Sequence, residues 1–251
     1  MRKDKSEDKT LEQRVDRYAG IPLDFQPGTD TGYSWEESFD TLGRVVEVVS
    51  GMHFEDYMQK YLCEPLGMKD TTFFQREDQA VRMAPLYLKQ NGKLLNITGT
   101  DKDMFRPGNP TPALFEKGAS GLLSTVTDYE HFAEMLCNKG NFRGKQILKP
   151  ETVELIRTEA PYNHLEPQPG MVWGLGVKIR QNPGLTGNVC TEGTHGWSGA
   201  FGTHFFVSPV DNLEAVWVTN RLDIGGSASI CSKKVEELVF GIWRKNKSAE
   251  K

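Results

Sequence analysis

Residues 33–51 read Tyr33-Ser34-Trp35-Glu36-Glu37-Ser38-Phe39-Asp40-Thr41-Leu42-Gly43-Arg44-Val45-Val46-Glu47-Val48-Val49-Ser50-Gly51. From Glu36 onward the apolar side chains recur at helical spacing, which predicts a helix whose core-facing stripe is Phe39, Leu42, Val46 and Val49. We expect this helix to stop at Gly51, because glycine readily adopts the left-handed conformation that ends helices. Tyr33 therefore lies just before a predicted helix.

Two more helices are predicted around this block. The first follows it directly, ends at Pro65 in Glu64-Pro65-Leu66-Gly67-Met68, and presents one face: Phe54, Tyr57, Met58 and Tyr61. The second is an entry helix within residues 1–20, where Leu11, Val15 and Tyr18 share one side.

The middle of the chain combines a hairpin with two helices. Leu86 to Ile97 predicts a hairpin around Asn91-Gly92, since both turn positions tolerate positive φ. Thr127 and Glu130 form a predicted capping box, and another helix is expected to begin at Pro150.

From Val172 the apolar period changes to two, which is typical of strands. One strand is predicted through Trp173, Leu175, Val177 and Ile179, and two more at Gly202 to Val207 and Leu213 to Thr219. Short connections indicate antiparallel neighbours. A C-terminal amphipathic helix then presents Cys231, Val235, Leu238, Val239 and Ile242. Helices followed by an antiparallel sheet and a closing helix define the fold class as α+β.

Composition narrows the possible partners. The formal net charge is −4 and no block of five like charges occurs, so nucleic acid and anionic membranes are not expected as partners. Met1 to Lys9 is charged and carries no apolar stretch, so we expect neither a signal peptide nor an anchor, and a cytoplasmic location. Four widely spaced cysteines (Cys63, Cys137, Cys190 and Cys231) are interpreted as free thiols, with no disulfide, metal or other cofactor.

Four blocks, in this order, resemble the serine β-lactamase and penicillin-binding-protein-like hydrolases, in their class C and esterase branch. They are Tyr33 to Gly51; Pro65-Leu66-Gly67-Met68 with Thr71-Thr72-Phe73; Gly121 to Phe132; and His195 to Pro209. The resemblance implies a β-lactamase/transpeptidase-like fold, an antiparallel sheet flanked by helices, with its N-terminal part missing here. Residues 1–251 would form one partial domain, mainly helical over about 1–160, with the strands and the C-terminal helix at about 170–245.

The nucleophile of the family belongs to a Ser-x-x-Lys box far upstream of the tyrosine box, whereas only residues 1–32 precede Tyr33. The chain has two Ser-x-x-Lys matches, Ser6 to Lys9 and Ser248 to Lys251, and both lie in charged tails. An unburied lysine keeps its charge at neutral pH and is a poor base toward serine. We therefore expect a chain without the nucleophile box.

Tyr33-Ser34-Trp35 resembles the Tyr-Ser-x form of the family's second box in the esterase branch, where the tyrosine is a catalytic general base. The asparagine of the Tyr-x-Asn form, which contacts the substrate amide in the penicillin-recognising branch, is absent, and this weakens a β-lactamase assignment. Without the resemblance, Tyr33 reads as a half-buried aromatic residue at a helix entrance.

The stretch His195-Gly196-Trp197-Ser198-Gly199-Ala200 resembles the third box of the family. It aligns on Trp197-Ser198-Gly199, which we prefer, or on His195-Gly196. The resemblance implies substrate and oxyanion binding by His195, Trp197, Ser198, Gly199 and the backbone N–H near Ala200. A glycine-rich strand edge without function is the alternative.

Gly196-Trp197-Ser198-Gly199-Ala200 is also one residue short of a Gly-x-Ser-x-Gly nucleophile elbow, which needs a strand, a turn and a helix. A strand is predicted after Ser198, so a nucleophilic Ser198 is kept only as an outlying hypothesis. A nucleophilic Ser120, in Gly118-Ala119-Ser120-Gly121, is also kept only as an outlying hypothesis.

Two functions remain. The first is the C-terminal portion of a serine hydrolase, an esterase, peptidase or β-lactamase relative, that acts on a small acyl substrate (ester, amide or β-lactam) and is inactive alone. The alternative is a non-catalytic module that retains the acyl-binding groove to hold a ligand or partner. The oligomeric state is not indicated by the sequence.

Overall fold

A computed structural model describes residues 8–34, 36–103, 116–161, 169–187, 189–226 and 229–249. The chain divides into two compact units. The first unit contains Met1–Met83 and Thr98–Thr125, and the second contains Ala84–Ile97 and Val126–Lys251. Each unit is therefore assembled from two separate stretches of sequence.

The first unit is helical where it is described. Its elements are α1 (Leu11–Ala19), α2 (Glu37–Ser50), α3 (Phe54–Met58), a π-helical turn (Gln59–Cys63), α4 (Glu64–Leu66) and α5 (Glu77–Ala80). The entry helix is confirmed: the side chain of Thr10 caps α1 by accepting a hydrogen bond from the backbone N–H of Gln13. Gly51 ends α2 with φ of 69°, as predicted.

The predicted core-facing stripe of α2 is wrong. Phe39, Leu42 and Val49 are exposed, and the buried positions of the helix are Asp40 and Gly43. Asp40 is drawn inward because its carboxylate pairs with the buried Arg14 of α1. Gly43 faces α1, where an added Cβ would lie 3.1 Å from Leu11 Cδ2. A buried ion pair and a close helix contact, rather than the largest apolar side chains, orient this helix.

The helix that was predicted to end at Pro65 continues past this residue, so its predicted end is also wrong. Residues 54–66 are helical throughout, and the end is set by Gly67, which has φ of 68°. A proline lacks the N–H that an α-helix interior would use. The π-helical turn immediately before α4 changes the hydrogen-bond register there, so that Pro65 sits at the start of a new helical turn.

The second unit opens with the predicted hairpin. Strands β1 (Tyr87–Gln90) and β2 (Lys93–Asn96) pair antiparallel, with positive φ at Asn91 and Gly92. The stretch that follows contains α6 (Val126–Cys137), the short strands β3 (Asn141–Phe142) and β4 (Lys145–Gln146), and α7 (Pro150–Ile156). The start at Pro150 is confirmed. The capping box is wrong, since α6 begins at Val126 and Thr127 lies inside its first turn.

A five-stranded antiparallel sheet forms the body of the second unit. Its strands, in spatial order, are β5 (Met171–Trp173), β6 (Lys178–Arg180), β7 (His195–Ser198), β8 (His204–Ser208) and β9 (Leu213–Trp217), with the short helix α8 (Pro183–Thr186) between β6 and β7. The single strand predicted through Val172 to Ile179 is instead the hairpin β5–β6, which turns at Gly174–Val177 with Gly176 at φ of 78°. The strands predicted near 202–207 and 213–219 are confirmed.

Helices cover both faces of this sheet. Phe205 and Phe206 are neighbours on β8 and point to opposite faces. Phe205 packs edge-on against Tyr129 of α6, and Phe206 stacks on Phe240 of α9 (Ile230–Ala249), with ring centroids 5.4 Å apart. The α+β architecture is confirmed. The buried residues of α9 are Ser232, Glu236 and Phe240. The predicted Val235 and Val239 pack beside them, whereas the predicted Leu238 and Ile242 are exposed.

The four cysteines are free, with Cys63, Cys137 and Cys190 buried and Cys231 partly exposed. Burial raises the pKa of the Cys137 and Cys190 thiols to about 12. Among the helices of the described residues, none has the length and apolar character needed to traverse a bilayer.

Candidate functional site

Tyr33 belongs to the first unit and lies shortly before α2. Its side chain is 54% exposed. The next residue organises the helix entrance: Ser34 Oγ accepts a hydrogen bond from the backbone N–H of Ser38 at 3.0 Å and contacts Ser38 Oγ at 2.7 Å. These contacts fix the turn that presents Tyr33. Trp35 lies outside the described residues.

The residues predicted for the third box lie on β7 and the turn after it, in the second unit. His195, Trp197 and Ser198 are on the strand, and Gly199 follows it. Ala200 is in the turn and not on the strand as expected, because the backbone N–H of Gly199 already donates to the carbonyl of Thr203 at 2.9 Å and closes the connection to β8.

Strand β7 is only partly enclosed by its neighbours. β8 pairs with all four of its residues, from His195 to Ser198, whereas β6 pairs only with His195 and Gly196. Trp197 and Ser198 are therefore paired on one side in the described sheet. Gly196 is required for the close approach of β8, since a Cβ there would lie 2.0 Å from the Phe205 carbonyl oxygen.

His195 and Trp197 have different surroundings. His195 is completely buried, its Nδ1 lies 3.0 Å from the carbonyl oxygen of Gly193, and burial lowers the pKa of its imidazole. Trp197 packs against Trp173 with ring centroids 4.6 Å apart, and Lys178 Nζ lies 5.3 Å from the Trp197 ring. The pKa of Lys178 is lowered by burial and then by the nearby Arg180.

A polar cluster that the sequence reasoning missed lies between the sheet and α9. Arg180 of β6 forms a buried ion pair with Glu236 of α9. His204 Nε2 lies 3.2 Å from Glu236 Oε1, and His204 Nδ1 lies 2.7 Å from Ser198 Oγ. The signal was present: Arg180 ends an apolar strand, and Glu236 interrupts the inward face of α9 between Ser232 and Phe240.

A cavity of about 300 Å³ opens onto this cluster. Its walls include the α9-facing residues of β6, β7 and β8 together with Ser232 and Glu236 of α9. Three buried polar atoms of its lining residues, Arg180 Nε, His195 Nε2 and His204 Nε2, have no hydrogen-bond partner among the described residues. An unsatisfied buried donor costs about 1–3 kcal/mol, so a ligand or water that accepts from it is favoured.

Glu47, His53 and Glu116 of the first unit bring their ligand atoms within 4.8 Å of one another. His53 is 80% exposed on its side chain. The two carboxylates accept backbone N–H groups at the start of α3, from Phe54 at 3.2 Å and from Glu55 at 3.5 Å. A capping role thus accounts for both carboxylates.

The architecture defines an α+β protein in which Tyr33 precedes α2 and His195 to Ser198 form strand β7. The Beta-lactamase family model matches residues 1–238. The chain belongs to the beta-lactamase family.

Individual relatives agree with this assignment. Protein Rv1367c of Mycobacterium tuberculosis is 29% identical over 227 residues, covering 84% of this chain and 55% of the relative. Esterase EstB of Burkholderia gladioli is 25% identical over 234 residues, covering 88% and 57%. The solved structure of EstCE1, a hydrolase with promiscuous acyltransferase activity, superimposes with a TM-score of 0.77 at 24% identity, covering 92% of this chain and 62% of that one. The β-lactamase/transpeptidase-like fold is therefore confirmed, and the chain spans about half the length of these curated relatives.

Proposed function

We propose that this chain is the C-terminal portion of a β-lactamase-like serine hydrolase that acts on a small acyl substrate, an ester, amide or β-lactam, and that it does not turn over such substrates alone. The proposal is supported by the resemblance of Tyr33-Ser34-Trp35 and of strand β7 to the second and third boxes of the family, in a sequence whose two Ser-x-x-Lys matches lie in the charged tails. Of the two matches, Ser6 lies outside the described residues, and Ser248 is at the exposed end of α9, where its hydroxyl donates to the Arg244 carbonyl.

In the proposed complete enzyme, a serine and a lysine from the absent segment attack the acyl carbonyl, and Tyr33 exchanges the proton with them. Trp197, Ser198 and Gly199 line the acyl group, and a backbone N–H near Ala200 contributes to the oxyanion hole. His195 supports the strand from within, since its ring is buried and contacts the Gly193 carbonyl.

Complementation tests this proposal. The part of Esterase EstB that this chain does not match is fused to its N-terminus or supplied in trans, and hydrolysis of p-nitrophenyl butyrate and of a chromogenic cephalosporin is measured. We expect turnover only from the combined protein, and a loss of about 100-fold or more in kcat when Tyr33→Phe is introduced into it. A folded combined protein that is inert toward both substrates overturns the proposal.

A non-catalytic binding module is the second candidate, and the cavity of about 300 Å³, whose lining residues have three unsatisfied polar atoms among the described residues, favours it. This function predicts that a small acyl compound binds saturably to the isolated chain, as measured by calorimetry. It also predicts no turnover, even after complementation.

A further inference from the structure

Ser198 and His204 occupy directly opposed positions of β7 and β8. Residues opposed in an antiparallel pair project from the same face of the sheet, which here is the face covered by α9. Ser198 Oγ lies 2.7 Å from His204 Nδ1, and both side chains are buried. The contact is short enough for the hydroxyl to donate to an unprotonated Nδ1.

The other imidazole nitrogen faces a carboxylate. His204 Nε2 lies 3.2 Å from Glu236 Oε1, although the two groups do not have the orientation of a hydrogen bond. Glu236 is 1% exposed and is also paired with Arg180. With Nδ1 facing Ser198, the Nε2 edge of the His204 ring is the one that lies beside the Glu236 carboxylate. A serine, an imidazole and a carboxylate are thus arrayed in the order used by serine nucleophiles.

The array lines a cavity that small molecules fit. Its volume of about 300 Å³ is at the lower end of the range of ligand pockets. Arg180 Nε is buried, lines the same cavity, and makes no hydrogen bond to any part of the chain that the structure describes. A guanidinium N–H that is already desolvated stabilises a developing oxyanion more strongly than one in water.

We propose that Ser198 is an activated nucleophile that accepts an acyl group from small activated esters in the cavity beneath α9. The Ser198 Oγ–carbon bond forms first and gives a tetrahedral oxyanion, and the bond from the acyl carbon to the leaving oxygen breaks as this intermediate collapses. His204 Nδ1 takes the serine proton and returns it to the departing oxygen, and Glu236 stabilises the imidazolium between these steps. Arg180 Nε stabilises the tetrahedral oxyanion.

This site is distinct from a nucleophile elbow, because Ser198 is followed by a turn and a second strand rather than by a helix. It also goes beyond the proposed function: the acylation uses no residue of the Ser-x-x-Lys segment and does not involve Tyr33. The isolated chain is therefore the right material for its test.

The test incubates the full chain with p-nitrophenyl acetate. The absorbance of p-nitrophenolate measures its release, and peptide mass spectrometry locates the acetylated residue. We expect a burst of about one equivalent per chain and acetate on Ser198. Ser198→Ala removes both, and His204→Gln slows the burst by about 100-fold or more, as expected for loss of a general base. Ser208→Ala is the matched control, because it deletes a buried hydroxyl from the same strand as His204, outside the cavity, and leaves the burst unchanged.

Acetate on other residues but not on Ser198 overturns the proposal, as does a Ser198→Ala variant with an unchanged burst. Mapping of the wild-type chain gives this answer even where a variant fails to fold. The complementation experiment fails or succeeds separately, since it measures turnover that depends on Tyr33 and on an added segment.

Discussion

Arg14 Nε lies 2.9 Å from Asp40 Oδ2, and the two side chains are 3% and 0% exposed. The same Asp40 carboxylate accepts a hydrogen bond from the Tyr18 hydroxyl at 3.1 Å and one from the backbone N–H of Ala119 at 3.3 Å. One buried acid therefore connects α1, α2 and the 116–121 segment of the first unit.

Arg14→Met is expected to destabilise the first unit by about 3 kcal/mol or more, because it leaves Asp40 buried without its cation. Arg17→Met on the same helix is the control. Its pair with Asp8 is partly exposed, so a loss below about 1 kcal/mol is expected. Urea denaturation measures the unfolding free energy of both variants. Equal losses of unfolding free energy would contradict the stabilising role of the buried Arg14–Asp40 ion pair.

Gly196→Ala is expected to destabilise the sheet by about 1–3 kcal/mol, since the added Cβ would lie 2.0 Å from the Phe205 carbonyl oxygen and one strand must shift. Gly241→Ala on α9 is the matched substitution. No atom lies within 4 Å of its added Cβ, and removing a helical glycine stabilises by about 0.5–1 kcal/mol. Opposite shifts in melting temperature are the expected result.

Phe240→Ala is expected to cost about 3–5 kcal/mol, because the ring is completely buried and stacked on Phe206. Ile242→Ala, two residues along the same helix but 60% exposed, should change the unfolding free energy by less than about 0.5 kcal/mol. If both variants were neutral, the docking of α9 on the sheet described above would be wrong.

Lys178→Met is expected to stabilise the chain at neutral pH. Burial and then Arg180 lower the pKa of the folded Lys178 below its ordinary 10.5, so charging it disfavours the folded state. As pH rises from the lowered pKa to 10.5, the unfolded chain binds more protons than the folded one, and the wild-type unfolding free energy gains on that of the variant.

Denaturation of the wild type and Lys178→Met at pH 7, 9 and 10.5 checks this slope. Lys233→Met, which replaces an exposed lysine of α9, is measured in parallel as the control for removal of a lysine charge. A Lys178→Met advantage that stays constant across this range would exclude the pKa explanation.

Local rules were sufficient where a backbone conformation is set by a few adjacent residues. The Asn91-Gly92 turn, the end of α2 at Gly51 and the start of α7 at Pro150 follow from φ preferences alone. The family blocks placed Tyr33 at a helix entrance and His195 on a strand for the same reason: short motifs retain their local structure.

Prediction from the sequence failed where a residue that is distant along the chain determines the local structure. The core-facing side of α2 was mispredicted because this helix is oriented by the pair that Asp40 makes with Arg14, a residue on another helix. The cluster of Ser198, His204 and Glu236 depends on the register of β7 with β8 and on the docking of α9, and apolar periodicity specifies neither. The available signals were Arg180 at the end of an apolar strand and Glu236 within the inward face of α9.

The division of each unit into two stretches bears on how the polypeptide folds as it leaves the ribosome. The first unit has all of its sequence by Thr125, so it can complete its contacts early. Hairpin β1–β2 emerges before that point, yet Tyr87 also has backbone partners in Asn220 and Leu222, more than a hundred residues further along the chain. An isolated two-stranded hairpin is only marginally stable in water. Vectorial synthesis therefore leaves this hairpin without these tertiary partners until the segment that contains Asn220 and Leu222 has emerged.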